Sequence, residues 1–390
     1  MLTIEPAFRE KINGVQIMSP AACLVSLGPK SYESNSSDIQ IVMNTISSPF
    51  DIVQLINRNM AGVGRVIGAY KQAGNTDFAD QINSSLKSAS LNVPLIENPF
   101  NKQPVIYFKE SGKSALSSRI TMLWEHNRKI VLSQRPNDAT LEILPSAYNE
   151  AAEKIKVYDA YHSLSIERYR VSPELITKIA SGEWDPKNTE LKGDNDQFNA
   201  MAALGYLRAF EKVKDGAVLA FSGEKKSADI FRKNHHDWFG QLFSPSVEAG
   251  LYNRVDLMGY RRHRVIIKSS QHAPPHHDYV IDGMSALMAC MSKETDPFVN
   301  AVLSHWLSGY IHPFMDGNGR MARFTMNLML AEGGYPWTVI EVSDRGRYMQ
   351  ALELASVKGD IAPLASFLSN NILRASYKVQ HEFHIGDLGG

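Results

Sequence analysis

Residues 312–323 read HPFMDGNGRMAR. Two glycines flank an asparagine there, and an arginine follows at once. Apolar residues recur at helical spacing on both sides: Phe298, Val302, Leu303, Trp306 and Leu307 upstream, Phe324, Leu328 and Met329 downstream. The stretch therefore predicts helix, tight loop, helix. A loop of Gly317, Asn318 and Gly319 that opens a helix presents unpaired backbone N–H groups at a positive dipole end, which makes an anion cradle. Arg320 and Arg323 lie three apart and share a face of the first turn. Cations there oppose the macrodipole by roughly 0.3–1 kcal/mol each. Two of them make sense with a multiply charged anion in front of the loop. His312 and Asp316 bracket the other side, offering a base and a metal ligand. The loop suits a nucleotide's phosphates.

Other readings of the same residues fare worse. Asp-Gly and Asn-Gly are hairpin dipeptides, but the flanks have a helical period and do not alternate. An EF-hand loop counted from Asp316 would place Arg320 and Asn327 where oxygen ligands belong, so that reading fails.

With every fixed position filled, HPFMDGNGR and the following Met321, Ala322 and Arg323 resemble the Fic signature, H-x-F-x-(D/E)-G-N-(G/K)-R-x-x-R. The resemblance implies a mainly α fold: a Fic-type helical bundle with a β-hairpin flap, preceded here by a mixed α/β N-terminal region. It implies transfer of AMP from ATP to a Ser, Thr or Tyr hydroxyl of a target protein. His312 would be the base and Asp316 the Mg²⁺ ligand. Gly317, Asn318 and Gly319 would cradle the phosphates, and Arg320 and Arg323 would bind their tail. The intact Gly-Asn-Gly argues against the phosphorylating Doc branch.

Upstream, YHSLSIERYR carries Ser163 and Glu167 in the family's inhibitory pattern, (S/T)-x-x-x-E-(G/N). The two are four apart and share a helix face. The resemblance implies an inhibitory helix near 155–168 whose Glu167 reaches Arg323 and blocks the γ-phosphate. Arg168 departs from the pattern, since Gly or Asn is usual there. Small residues there let the helix end close to the phosphates, so the bulk of Arg168 leaves open how near that end comes. Residues 259–280, GYRRHRVIIKSSQHAPPHHDYV, match the family's flap in position. Arg264, Val265, Ile266, Ile267 and Lys268 would pair with an extended piece of the target by β-augmentation. Arg261, Arg262 and Arg264 would either select an acidic target or solvate the hairpin, with solvation the expected role. The paired histidines His235, His236 and His276, His277 are expected to face solvent.

The chain has 390 residues, 44% hydrophobic and 21% charged, with zero formal net charge. That composition is globular, and the balance gives no bulk attraction to nucleic acid or membrane. Cys23 and Cys290, far apart, suggest no disulfide framework, and a cytoplasmic setting is expected. No secretory leader or membrane-spanning stretch is expected. Residues 1–140 form the N-terminal region, with a strand expected at Ile39–Met43 and helices between Phe50 and Lys87. A strand-like Val105–Phe108 after that helix pair allows a winged-helix reading, but a support or target-docking role is favoured because no dense Lys/Arg stripe occurs. Residues 96–104 and 133–140 read as linkers. The Fic domain is placed at 141–375 and a C-terminal tail at 376–390.

No Walker A sequence and no kinase motif set occur. The partners implied are ATP and a hydroxyl-bearing protein, with self-modification and a homodimer as further candidates. Two alternatives stand beside AMP transfer. One is a de-AMPylating hydrolase that uses Glu167 to orient water. The other is a nucleotide-binding regulator without turnover, against which the intact His312 argues.

Overall fold

The computed structural model describes residues 8–12, 14–106, 114–184, 194–253, 257 and 259–386. The chain divides into two compact units, 1–125 and 126–390. No helix among the described residues is long and apolar enough to cross a membrane.

The first unit opens with strands β1 (Arg9–Ile12) and β2 (Val15–Met18), paired antiparallel with Arg9 opposite Met18 and Ile12 opposite Val15. Short helices α1 (Pro20–Ser26), α2 (Pro29–Ser34), α3 (Ser36–Thr45) and α4 (Phe50–Val53) follow. Next come α5 (Met60–Gln72), α6 (Thr76–Ser88) and α7 (Ala115–Leu132), and the division between the units falls within α7. Asn59 and Asn75 cap α5 and α6 through side-chain acceptors.

The strand expected at Ile39–Met43 is instead part of α3. Ile39, Met43 and Ile46 recur at helical spacing and are buried in one core with Leu24, Val25 and Val66. Burial of that face outweighs the β-branched preference. The segment 96–104 is not a linker, because Phe100 is fully buried in the same core. Val105 and Ile106 form no strand, and Tyr107 and Phe108 lie outside the described residues. The unit's hairpin precedes its helix pair, so no wing follows that pair among the described residues.

The second unit is helical: α8 (Pro145–Ile166), α9 (Pro173–Ala180), α10 (Asp194–Phe221), α11 (Ser227–Glu248), α12 (Val280–Lys293), α13 (Pro297–Ile311), α14 (Asn318–Glu332), α15 (Arg345–Glu353) and α16 (Ala362–Gly386). Asp296 caps α13 by accepting from Val299 N–H at 2.9 Å, and Pro297 sits at the first helical position. Helix α13 is buried nearly all round, as expected of a central helix. It packs on α14, while α10 packs on α8, α11 and α14. Gly333 caps α14 and Gly334 takes a left-handed φ of 74°. Helix α16 runs to Gly386, so the segment expected as a tail from 376 is helical for most of its length.

The flap segment carries no strand ladder. Residues 264–267 have no regular secondary structure and lead into a turn in which Ser270 N–H donates to Ile267 O at 3.2 Å. Its tip is open to solvent, with Ile266 88% exposed. Its returning leg is anchored: Glu353 accepts from Ser270 Oγ and from Gln271 N–H, and His272 Nε2 donates to Tyr310 O at 2.8 Å.

Candidate active site

Helix α13 ends at His312, which adopts a left-handed φ of 52° and donates its backbone N–H to Ser308 O. A non-glycine residue in that region is uncommon and costs backbone energy. The imidazole lies against the last turn of α13. Its Nδ1 lies 3.3 Å from Gly309 O. Since a carbonyl only accepts, Nδ1 carries the proton and Nε2 keeps a free lone pair. Burial pushes the His312 pKa down to about 4, with the Gly309 carbonyl and Glu167 opposing and Arg261 and His272 reinforcing the fall. The imidazole is neutral at pH 7.

The loop that follows is held by one side chain. Asn318 Nδ2 donates to Phe314 O at 2.8 Å, and its Oδ1 accepts Phe314 N–H at 2.9 Å. Phe314 is itself stacked on Phe239, ring centroids 3.9 Å apart. Gly317 takes φ 76°, a conformation that a side chain would strain, and opens α14. Asp316 is exposed at the mouth; its Oδ1 accepts Gly317 N–H at 2.6 Å, and its Oδ2 lies 3.5 Å from Arg320 Nη2.

Arg320 and Arg323 are both buried. The Arg320 guanidinium lies between the rings of Tyr169 and Phe243, 5.1 Å from each centroid, and donates to Tyr169 Oη at 3.2 Å. Arg323 donates Nε to Ser163 Oγ at 2.8 Å, and Nη2 to Ser163 O at 3.0 Å and Glu167 Oε1 at 2.9 Å. Two buried donors, Arg320 Nε and Arg323 Nη1, have no protein partner among the described residues. Buried donors of this kind require an acceptor. Arg323 Nη1 stands 3.3 Å from the place a Gly319 Cβ would take, against the cradle.

Helix α8 brings Glu167 to this place. It ends in a Schellman motif, with Arg168 N–H donating to Ser165 O at 3.0 Å and Tyr169 N–H to Leu164 O at 3.1 Å. Arg168 holds the left-handed position of that motif, φ 68°, and its side chain is exposed. The question left open by its bulk has its answer here: Arg168 does not hold the helix end off, since Glu167 reaches Arg323. Gly or Asn is favoured there because each tolerates positive φ. Arg345 Nε donates to Ile166 O at 2.8 Å and adds a cation to the same helix end. For Glu167, burial raises the pKa but Arg323 outweighs it, and the net shift is downward. The carboxylate is ionised at neutral pH. A Cβ on Gly319 would stand 2.1 Å from Glu167 Oε1, so only glycine admits this approach.

The sequence-expected residues His312, Asp316, Gly317, Asn318, Gly319, Arg320, Arg323, Ser163 and Glu167 thus converge. Arg264 to Lys268 lie on the flap segment. Three residues at the site escape sequence reasoning: Tyr169, Phe243 and Asp159. Asp159 sits one turn before Ser163 on the same face, a spacing that could have pointed to it; Tyr206 Oη donates to it at 2.8 Å, and burial lifts its pKa to about 6. His235, expected in solvent, is buried and bonded through Nε2 to Tyr260 Oη at 2.8 Å; its exposed neighbour His236 is as expected.

Residues 227–330 match the model of the Fic/DOC family. The chain is 39% identical over 213 residues to the protein adenylyltransferase Fic of Nematostella vectensis, covering 54% of this chain and 45% of that protein. It is 24% identical over 215 residues to the protein adenylyltransferase fic-1 of Caenorhabditis elegans, covering 54% and 38%. The chain thus spans less than half the length of these curated relatives. Among solved structures, residues 134–508 of Fic-1 from C. elegans share the fold, with a TM-score of 0.50 at 15% identity over 92% of this chain and 98% of that one. The stretch that matches this family model, 227–330, holds the left-handed histidine, the Gly-Asn-Gly turn and the two buried arginines, and it is this stretch that is similar to the Fic/DOC family.

Proposed function

We propose that the chain is a protein adenylyltransferase that moves AMP from ATP to a Ser, Thr or Tyr hydroxyl, held in check by Glu167. The observation that supports this reading best is the pair of buried guanidinium donors without a partner among the described residues, at the N-terminal end of α14, with a neutral histidine beside it. Such a site takes a polyanion and a proton at neighbouring positions.

The hydroxyl oxygen attacks the α-phosphorus of ATP, the bond from that phosphorus to the bridging oxygen breaks, and pyrophosphate leaves. The proton passes to Nε2 of His312, whose Nδ1 is occupied by Gly309. The N–H groups of the Gly317–Gly319 turn, with Arg320 and Arg323, hold the phosphates and neutralise their charge. Asp316 suits Mg²⁺: it is a single exposed carboxylate, a hard oxygen ligand, beside the phosphate cradle. Bound there, Mg²⁺ would neutralise charge on the phosphate oxygens. Glu167 opposes all this while it holds Arg323, because its carboxylate occupies charge and space that the γ-phosphate needs.

Incubation with α-labelled ATP and Mg²⁺ tests the reading. Label on protein supports it. Loss of label from premodified protein without forward transfer would favour the hydrolase, and neither outcome would sink both.

A further inference from the structure

Arg261 lies at the base of the flap and is only 4% exposed. Among the described residues, every hydrogen bond its guanidinium makes goes to a backbone carbonyl. Nε donates to His312 O at 2.7 Å, Nη1 to His263 O at 3.0 Å, and Nη2 to Pro275 O and, at 3.4 Å, to Ile311 O. Its own backbone N–H donates to Pro313 O at 2.8 Å. One side chain therefore joins three places. His263 is on the outgoing leg of the flap segment, Pro275 closes the returning leg, and Ile311 and His312 are the last carbonyls of α13.

Burying a guanidinium is costly unless its donors are met. Here they are met by the negative end of the α13 dipole and by the two flap legs. The same contacts fix His312 in its left-handed conformation, which its own sequence disfavours. We infer that Arg261 is a positioning residue that locks the frame of the flap to the general base, so that a hydroxyl presented by the flap meets His312 Nε2. This rests on the AMP-transfer reading for what the flap presents. A lysine cannot replace it: an ammonium is a point donor and cannot span carbonyls on three segments as a planar fork can.

The test uses the full chain carrying Glu167→Gly, with ATP and Mg²⁺ as probes and self-labelling as the readout. Adding Arg261→Lys or Arg261→Met is expected to lower the maximal labelling rate about 100-fold, as for a misplaced reacting group. The affinity for ATP should stay within about twofold, because the phosphate cradle lies on α14 and is held by Asn318. Amide exchange in the nucleotide-free chain should quicken across residues 262–274 and 309–313 and stay unchanged in α10. Labelling by Arg261→Lys at the parent rate would overturn the inference, as would loss of ATP affinity in step with rate, or exchange that rises everywhere. If the Glu167→Gly parent itself labels nothing, the functional reading has failed. The exchange measurement still decides the clasp: quickening confined to the two segments upholds it, and unchanged exchange there overturns it.

Discussion

Arg323 Nη2 and Glu167 Oε1 are 2.9 Å apart, and the same guanidinium grips the Ser163 hydroxyl and carbonyl one turn earlier. The last turn of α8 and its cap are thereby locked onto the second turn of α14. If this closed arrangement is favoured by about 2–3 kcal/mol, the open fraction is about 0.6–3%. Glu167→Gly should then raise self-labelling ~30–150-fold, and Ser163→Ala should raise it less. Equal rates for Glu167→Gly and wild type would show that the contact does not limit the reaction.

The pH dependence of that contact has a definite sign. Glu167 is pushed below its ordinary pKa by Arg323, so the contact is fully present above about 4.5 and is lost as pH falls through the lowered value. Wild-type self-labelling relative to Glu167→Gly should therefore be constant between pH 6 and 8. A ratio that climbs several-fold across that window would mean that another group controls release.

Arg168 occupies a left-handed position at a cost of roughly 1–2 kcal/mol relative to glycine. Arg168→Gly should relieve that strain in the closed state. Self-labelling should fall, and the melting temperature should rise by about 2–8 °C. Faster labelling in Arg168→Gly would mean that the arginine side chain itself strengthens the closed form.

Gly319 is the point of closest approach. Gly319→Ala puts a methyl 2.1 Å from Glu167 Oε1 in the closed form and should destabilise the chain by about 1–3 kcal/mol. In the Glu167→Gly background the obstacle is gone, and the same alanine should cost little. Thermal melts of the four proteins in this cycle measure the coupling. Additive effects would place Glu167 elsewhere in solution.

His312→Ala should leave ATP affinity nearly intact and reduce transfer by about 10²–10⁴-fold. Because burial lowers the His312 pKa to about 4, the acid limb of the rate in the Glu167→Gly protein should fall nearer pH 4 than 6.5. A limb centred at 6.5 would argue for a solvated imidazole or a different base.

The sequence by itself determined the helix–loop–helix of 298–332, the glycine-flanked turn at 317–319 and the shared face of Ser163 and Glu167. These are facts of local spacing: residues within one or two turns are neighbours whatever the rest of the chain does. The pairing of Glu167 with Arg323 spans 156 positions and was legible only through the family pattern, not through any period. Tertiary structure alone decided the rest. Arg261 looks like one of several solvating arginines until α13 ends beside it and offers two carbonyls. His235 sits in a polar run, yet α11 turns it inward onto Tyr260. Ile39–Met43 has strand-like composition, but the first unit's core selects its helical face. Arg168 looks like an obstruction, and the backbone instead turns its side chain outward. In each case the residue type allows several environments, and the choice falls to burial and partners contributed by distant segments.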